Sequence, residues 1–203
     1  MAGTAAVVGV ISGCSDKDDN GGGGINLGTG DIGILNYAYA LEQLEAAFYK
    51  QVTDTPYAGI TADETQLLAD IRDHEIAHRE FFKAALKTSA IVALEVNFSK
   101  IDFSKRESVL ATAKAFEDLG VQAYNGAGKL ITDPNYLALA GKIVSVEARH
   151  AAYIRDLISN GSFADSSVID ANGLDKALTP KQVLSIASGF LKSKLNANNL
   201  PTS

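Results

Sequence analysis

One short pattern occurs twice in this chain, as Glu75-Ile-Ala-His78 and Glu147-Ala-Arg-His150, and it limits the possible folds more than any other feature. A glutamate and a histidine three residues apart on a helix project from the same face. A lone glutamate stands upstream of each pair: Glu42, followed seven residues later by Tyr49, and Glu117, followed seven residues later by Tyr124. The chain therefore reads as two helical hairpins of similar design, each supplying three polar groups to a common centre.

The phase of the apolar residues supports an inward orientation. The four stripes are Leu35, Tyr39, Glu42, Ala46, Tyr49; Ile71, Glu75, His78, Phe82; Leu110, Ala113, Glu117, Gly120, Tyr124; and Ala140, Ile143, Glu147, His150, Ile154. Each alternates steps of three and four, the spacing of a packed bundle seam. The glutamates and histidines thus occupy positions where apolar residues belong. Buried carboxylates are costly unless paired or metal-bound. Two Glu-x-x-His pairs with two single glutamates are the ligand set of a dinuclear carboxylate site in a four-helix bundle. Two divalent ions would balance the four carboxylates, and the histidines favour iron, manganese or zinc over calcium or magnesium. On the first helix Glu45, one turn beyond Glu42, is an alternative or additional ligand, or a solvated residue at the helix edge. Glu42 is preferred because it shares its stripe with Tyr49. Tyr49 and Tyr124 are either core aromatics with satisfied hydroxyls or participants in redox or hydrogen-bonding roles.

Leu41-Glu42-Gln43-Leu44-Glu45-Ala46-Ala47-Phe48-Tyr49 and Ala123-Tyr124-Asn125-Gly126-Ala127, beside the two Glu-x-x-His motifs, resemble the ferritin-like superfamily. The similarity is greatest to the bacterial ferritin-like domain group that includes desiccation-related proteins, and it covers roughly residues 31 to 159. The resemblance implies an all-α four-helix bundle with metal ligands at Glu42, Glu75, His78, Glu117, Glu147 and His150. Glu75 and Glu147 would bridge two iron or manganese ions. The superfamily includes ferroxidases, rubrerythrins, manganese catalases and di-iron oxygenases, so dioxygen, peroxide or ferrous iron is the implied small substrate. The alternative is a non-enzymatic envelope stress or interaction module with a structural or vestigial metal site.

His74-Glu75-Ile76-Ala77-His78 also reads as H-E-x-x-H, the zinc metalloprotease signature. That reading needs a third ligand. Phe81 breaks the longer form of the motif, and Glu147 and His150 are left without a role. A zinc hydrolase is therefore the lesser alternative, with His74 a polar neighbour of the site or simply exposed.

The sequence pI near 5 and net charge of −6 argue against nucleic-acid binding. No run of 18 apolar residues suggests a membrane-spanning helix. The N-terminus carries a separate signal. A short apolar run, residues 5–11, leads into Ile11-Ser12-Gly13-Cys14, which resembles a bacterial lipoprotein processing box around the only cysteine. No Lys or Arg precedes the run. Either residues stand upstream of Met1, or residues 1–30 form a Gly-rich tail with a chance cysteine. On the lipoprotein reading, residues 1–13 are signal-like, residues 14–30 are a flexible tether, and a lipidated Cys14 holds the protein on a bacterial membrane in the cell envelope.

Periodicity and stop signals place helix one at 31–53, with Asp31 as N-cap, and helix two from 61 or 62 to 89. An extended crossover over 90–105 carries alternating apolar residues. Helix three spans about 105–132, and a helix started by Asp133-Pro134-Asn135 ends near 160. The bundle is thus 31–160, with a long crossover between helices two and three. The extension 161–203 is irregular at first, then helical from Thr179-Pro180 to about Lys194, with a disordered tail from Asn196. The short helix docks on the bundle or on a second subunit, and a homodimer is an open possibility. Gly120, Gly126, Gly128 and Gly141 fall inside helices. They serve close packing or leave space near the site, or else are merely tolerated.

Overall fold

A computed structural model describes residues 23–202. The fold is all-α, a bundle of four long helices with a short fifth, as the resemblance implies. The helices are α1 (Gly30–Asp54), α2 (Ala62–Leu86), α3 (Arg106–Gly128), α4 (Pro134–Ile158) and α5 (Pro180–Ala187). Short connections pair α1 with α2 and α3 with α4, and the two hairpins meet chiefly through α1 and α3. The long connection 87–105 joins the hairpins, as a bundle with one crossover requires.

Local chemistry sets the helix boundaries. Thr61 and Glu64 form a reciprocal capping box at the start of α2, and Thr179 and Gln182 do the same for α5. Asp133 caps α4 ahead of Pro134. Asp31 departs from expectation: Thr29 is the N-cap of α1, and the Asp31 carboxylate reaches across to accept from Thr132 N–H, Thr132 Oγ1 and Asp133 N–H. That grip turns the chain away from the helix axis, and α3 ends at Gly128 rather than at 132.

The crossover is extended and covers the bundle, as its alternation predicts. Phe98 and Phe103 meet Phe48 with ring centroids 6.1 Å and 5.9 Å away. Phe48 also meets Phe116 edge-on at 5.2 Å, which joins crossover, α1 and α3 in one aromatic cluster.

Two expectations for the C-terminal part are corrected. The fifth helix stops at Ala187 and gives way to a 3-10 turn over Ser188–Phe190, well before Lys194. The crossover captures the backbone instead. Asn97 N–H donates to Phe190 O at 2.7 Å, Lys192 N–H donates to Glu95 O at 2.8 Å, and Val96 bridges Leu191. Nor is the tail from Asn196 disordered. β1 (Ile25–Asn26) pairs in parallel with β2 (Leu195–Asn196), and Leu200 and Leu27 are buried. The end of the expected tether is therefore packed structure, because Leu27 has no exposed surface to leave flexible. The lipoprotein-like segment and Cys14 lie outside the described residues. Among the described residues no helix is long and apolar enough to cross a membrane.

The helix glycines divide by environment. A Cβ on Gly126 would sit 1.7 Å from the Leu178 carbonyl oxygen, whose residue also donates its N–H to Gln122 O. Gly126→Ala is therefore expected to cost about 3 kcal/mol, the upper range for overpacking, read as a lower denaturant midpoint. Gly141 faces open space. Gly141→Ala is expected to gain up to about 1 kcal/mol in the same assay, from helix propensity alone.

Candidate metal centre

The polar positions on the four stripes converge at the middle of the bundle. Glu42, Glu75, Glu117 and Glu147 have no exposed surface and His150 is 5% exposed. His78 Nδ1 lies 3.0 Å from Glu147 Oε1, 3.4 Å from Glu42 Oε2 and 3.6 Å from Glu75 Oε2. His150 Nδ1 lies 2.9 Å from Glu75 Oε1, 3.3 Å from Glu117 Oε2 and 4.0 Å from Glu147 Oε2. Two sets of donors result: Glu42, Glu75, His78 and Glu147 in one, and Glu75, Glu117, Glu147 and His150 in the other, with donor atoms of each set within 4.8 Å of one another. Glu75 and Glu147 belong to both. The internal repeat of the sequence has become a two-fold arrangement in space.

The donor atoms suit divalent ions better than they suit each other. Glu42 Oε2, both oxygens of Glu75 and Glu147, Glu117 Oε2 and the two histidine Nδ1 atoms are all buried, and no hydrogen bond of proper direction satisfies them. Native proteins rarely leave buried polar atoms unpaired, and here eight of them face one small volume. Carboxylate oxygens with one imidazole per position form a donor set for iron, manganese or zinc.

The tyrosines exchange partners between the repeats. Tyr49 Oη donates to Glu117 Oε1 at 2.5 Å, and Tyr124 Oη donates to Glu42 Oε1. Each phenol thus fixes one oxygen of the other hairpin's single glutamate and leaves the second oxygen facing the centre. Burial, then the neighbouring carboxylate, pushes both phenols far above their usual range, so they remain donors. Tyr49→Phe is expected to weaken metal at the His150 position, and Tyr124→Phe at the His78 position, each by about tenfold, as loss of a ligand-orienting hydrogen bond does. Calorimetric metal titration checks the pairing.

Glu45 is not solvated. It is 4% exposed and stands in neither donor set. Gly120 makes room for it, since a Cβ there would meet Glu45 Oε1 at 3.3 Å and Glu147 Oε2 at 3.4 Å. Burial, then repulsion from Glu147, Glu75, Glu117 and Glu42, pushes its carboxyl well up. Burial raises Glu147 and Glu117 as well, and Glu42 to about 8. For Glu75 burial is outweighed by His150 and His78, which hold it at about 2. Burial works against the charged imidazoles, but the surrounding carboxylates lift His78 to about 12 and His150 to about 10.

His74 stands in neither donor set. It meets His150, not an ion shared with His78: His74 Nδ1 lies 2.9 Å from His150 Nε2. The zinc-protease reading of H-E-x-x-H requires both histidines of the motif on one ion, and this geometry separates them. Sequence reasoning also missed Arg155, which is 3% exposed and bonds Asp118, Asp165, Ser167 and the Ser162 carbonyl. Nothing in its sequence neighbourhood marked it. It pins the irregular segment after α4 to the bundle beside the site.

The bundle and centre coincide with the span that matches a known family. Residues 30–160 match the model of the ferritin-like domain, and the chain belongs to that family. No curated protein matches the chain.

Proposed function

We propose that the chain is a dinuclear iron or manganese protein that oxidises ferrous iron or reduces dioxygen or peroxide. The observation that carries this reading is the membership of Glu75 and Glu147 in both donor sets. Two carboxylates common to two positions would hold two ions, and such a pair, when reduced, would supply electrons to dioxygen or peroxide, with ferrous iron as the electron source. Glu42 and Glu117 close the two ends, and His78 and His150 distinguish the ions from harder competitors. Full burial of the four glutamates excludes bulk water and any large organic substrate. An apolar crevice lined by Leu41, Phe82, Ala123 and Ile143 has in its wall Tyr124, whose hydroxyl donates to Glu42.

Loading the metal-free protein anaerobically with ferrous iron and then admitting air tests the reading. The expected result is ferric absorbance growing faster than in protein-free buffer, with dioxygen consumed in step, and the excess rate lost in Glu147→Ala. Bound ions that never change oxidation state, with either dioxygen or peroxide, would point to a structural metal and a non-enzymatic role.

The narrower likeness to desiccation-related proteins, carried by residues 41–49 and 123–127, and an address in the bacterial cell envelope, supported by the Ile11-Ser12-Gly13-Cys14 box, are part of the same proposal. On this reading Cys14→Ser moves the protein expressed in a bacterial host from the detergent phase to the aqueous phase. Unchanged partitioning would remove the lipid anchor.

A further inference from the structure

Beside the shared glutamates the two-fold symmetry of the centre is broken. In the first repeat the residue before the bridging glutamate is His74; in the second it is Val146. His74 is exposed at the edge of α2, yet its Nδ1 faces the inner ligand His150 across the bundle at 2.9 Å. The two rings are 6° from coplanar with centroids 5.2 Å apart. With the nitrogens in contact, that separation sets the rings end to end in one plane, in line for an N–H···N hydrogen bond, and not face to face. His150 Nδ1 points the other way, toward Glu75 and Glu117. The His78 Nδ1 likewise faces the carboxylates of Glu42, Glu75 and Glu147, and among the described residues no second imidazole hydrogen-bonds to the His78 ring. The repeat-equivalent residue, Val146, has no group with which to hold it.

We propose that His74 is a positioning residue for one of the two metal positions. By accepting a hydrogen bond from His150 Nε2–H at its own Nδ1, it fixes the plane and tautomer of His150, so that the His150 Nδ1 lone pair points into the centre. This rests on the dinuclear reading above. A metal-binding imidazole commonly gives its second N–H to a carboxylate or carbonyl, and loss of that partner costs about 10- to 100-fold in affinity. Here a second imidazole takes that place, on one side only. The two positions are therefore inequivalent: the His150 position is preorganised and fills first, and the His78 position fills second.

The test uses the full chain, freed of metal by chelation and titrated anaerobically with manganese(II), as wild type, His74→Leu and His74→Asn. Asparagine places Oδ1 where histidine has Nδ1 and so keeps the acceptor. The wild type is expected to bind two ions in two resolved steps. In His74→Leu the tighter step weakens about 10- to 100-fold while the other is unchanged, and His74→Asn restores it. Nitrogen-15 shifts of the metal-free wild type are expected to show His74 protonated at Nε2 and bare at Nδ1. Two unchanged steps in His74→Leu, equal loss of both steps, or failure of asparagine to restore binding would each overturn the proposal, as would a His74 carrying its proton on Nδ1. Absence of any manganese binding by the wild type would instead overturn the dinuclear reading. The nitrogen shifts would then still decide whether His74 holds His150.

Discussion

Glu147→Ala is expected to remove both metal ions from the protein, not one. Glu147 contributes to both donor sets, with one oxygen close to His78 and the other toward His150. Its loss would take one donor from each position and one of the two carboxylates common to both. Glu42→Ala is the informative contrast, because Glu42 belongs to one set only. Metal per chain should fall from about two ions to near none in Glu147→Ala, and to about one in Glu42→Ala, the pattern a site with shared carboxylates imposes. Elemental mass spectrometry of both variants reads this directly. Equal losses in the two variants would mean that Glu147 does not bridge. The fold should survive Glu147→Ala, since the change removes a buried carboxylate whose charge is opposed by burial and by the neighbouring Glu75, and the helix around it keeps its apolar contacts.

The second large effect is a pH dependence of stability that metal reverses. Burial raises the folded-state pKa of Glu42 to about 8, and Glu117, Glu147 and Glu45 move in the same direction. A group with a raised folded pKa stabilises fully below its unfolded value and loses that contribution as pH climbs through the folded value. For Glu42 the window runs from its ordinary value near 4.5 to about 8. His78 and His150, raised to about 12 and about 10, lose their contribution above their ordinary value of 6.5. Glu75 runs the other way, with a contribution lost as pH falls from 4.5 toward about 2, and so do the lowered Asp31, Glu64 and His74, each of which loses its contribution as pH falls. The metal-free protein is therefore expected to be most stable near pH 5 and to lose on the order of a few kcal/mol by pH 8. Divalent ions displace these protons, so binding tightens as pH rises. At a free ion concentration a hundredfold above the dissociation constant, each occupied position restores about 2.7 kcal/mol. Thermal melts of metal-free and manganese-loaded protein at pH 5 and pH 8 measure this. A metal-free melt that rises between those pH values would contradict the raised carboxyls of the centre.

The four stripes were legible in the sequence because the bundle seam has a fixed period and every polar exception to it fell on phase. Ile71, Glu75 and Phe82 are buried in register with one another, as are Ile143, Glu147, His150 and Ile154. The exchange of tyrosines between Glu42 and Glu117 was not legible. The seven-residue spacing places each phenol two turns from its own glutamate, and only the docking of the hairpins decides which carboxylate it meets. His74 and Glu45 posed the same difficulty. Both are one step off the stripe, and their environment comes from another helix: His150 for His74, and the gap left by Gly120 for Glu45. Helix ends were read well where a cap is local, as at Thr61 and Asp133. They were read poorly where a distant group pulls the chain away, as Asp31 does at Thr132 and the crossover does at Leu191. The order of the last residues depends on the pairing of Leu195–Asn196 with Ile25–Asn26, a contact between chain ends that no local pattern announces.

The most direct test of the central claim is the metal content of the full chain, purified after growth with added iron and manganese and measured by elemental mass spectrometry. Two carboxylate-sharing positions predict about two iron or manganese ions per chain. A single zinc per chain, retained in Glu147→Ala, would contradict a dinuclear centre built on Glu75 and Glu147.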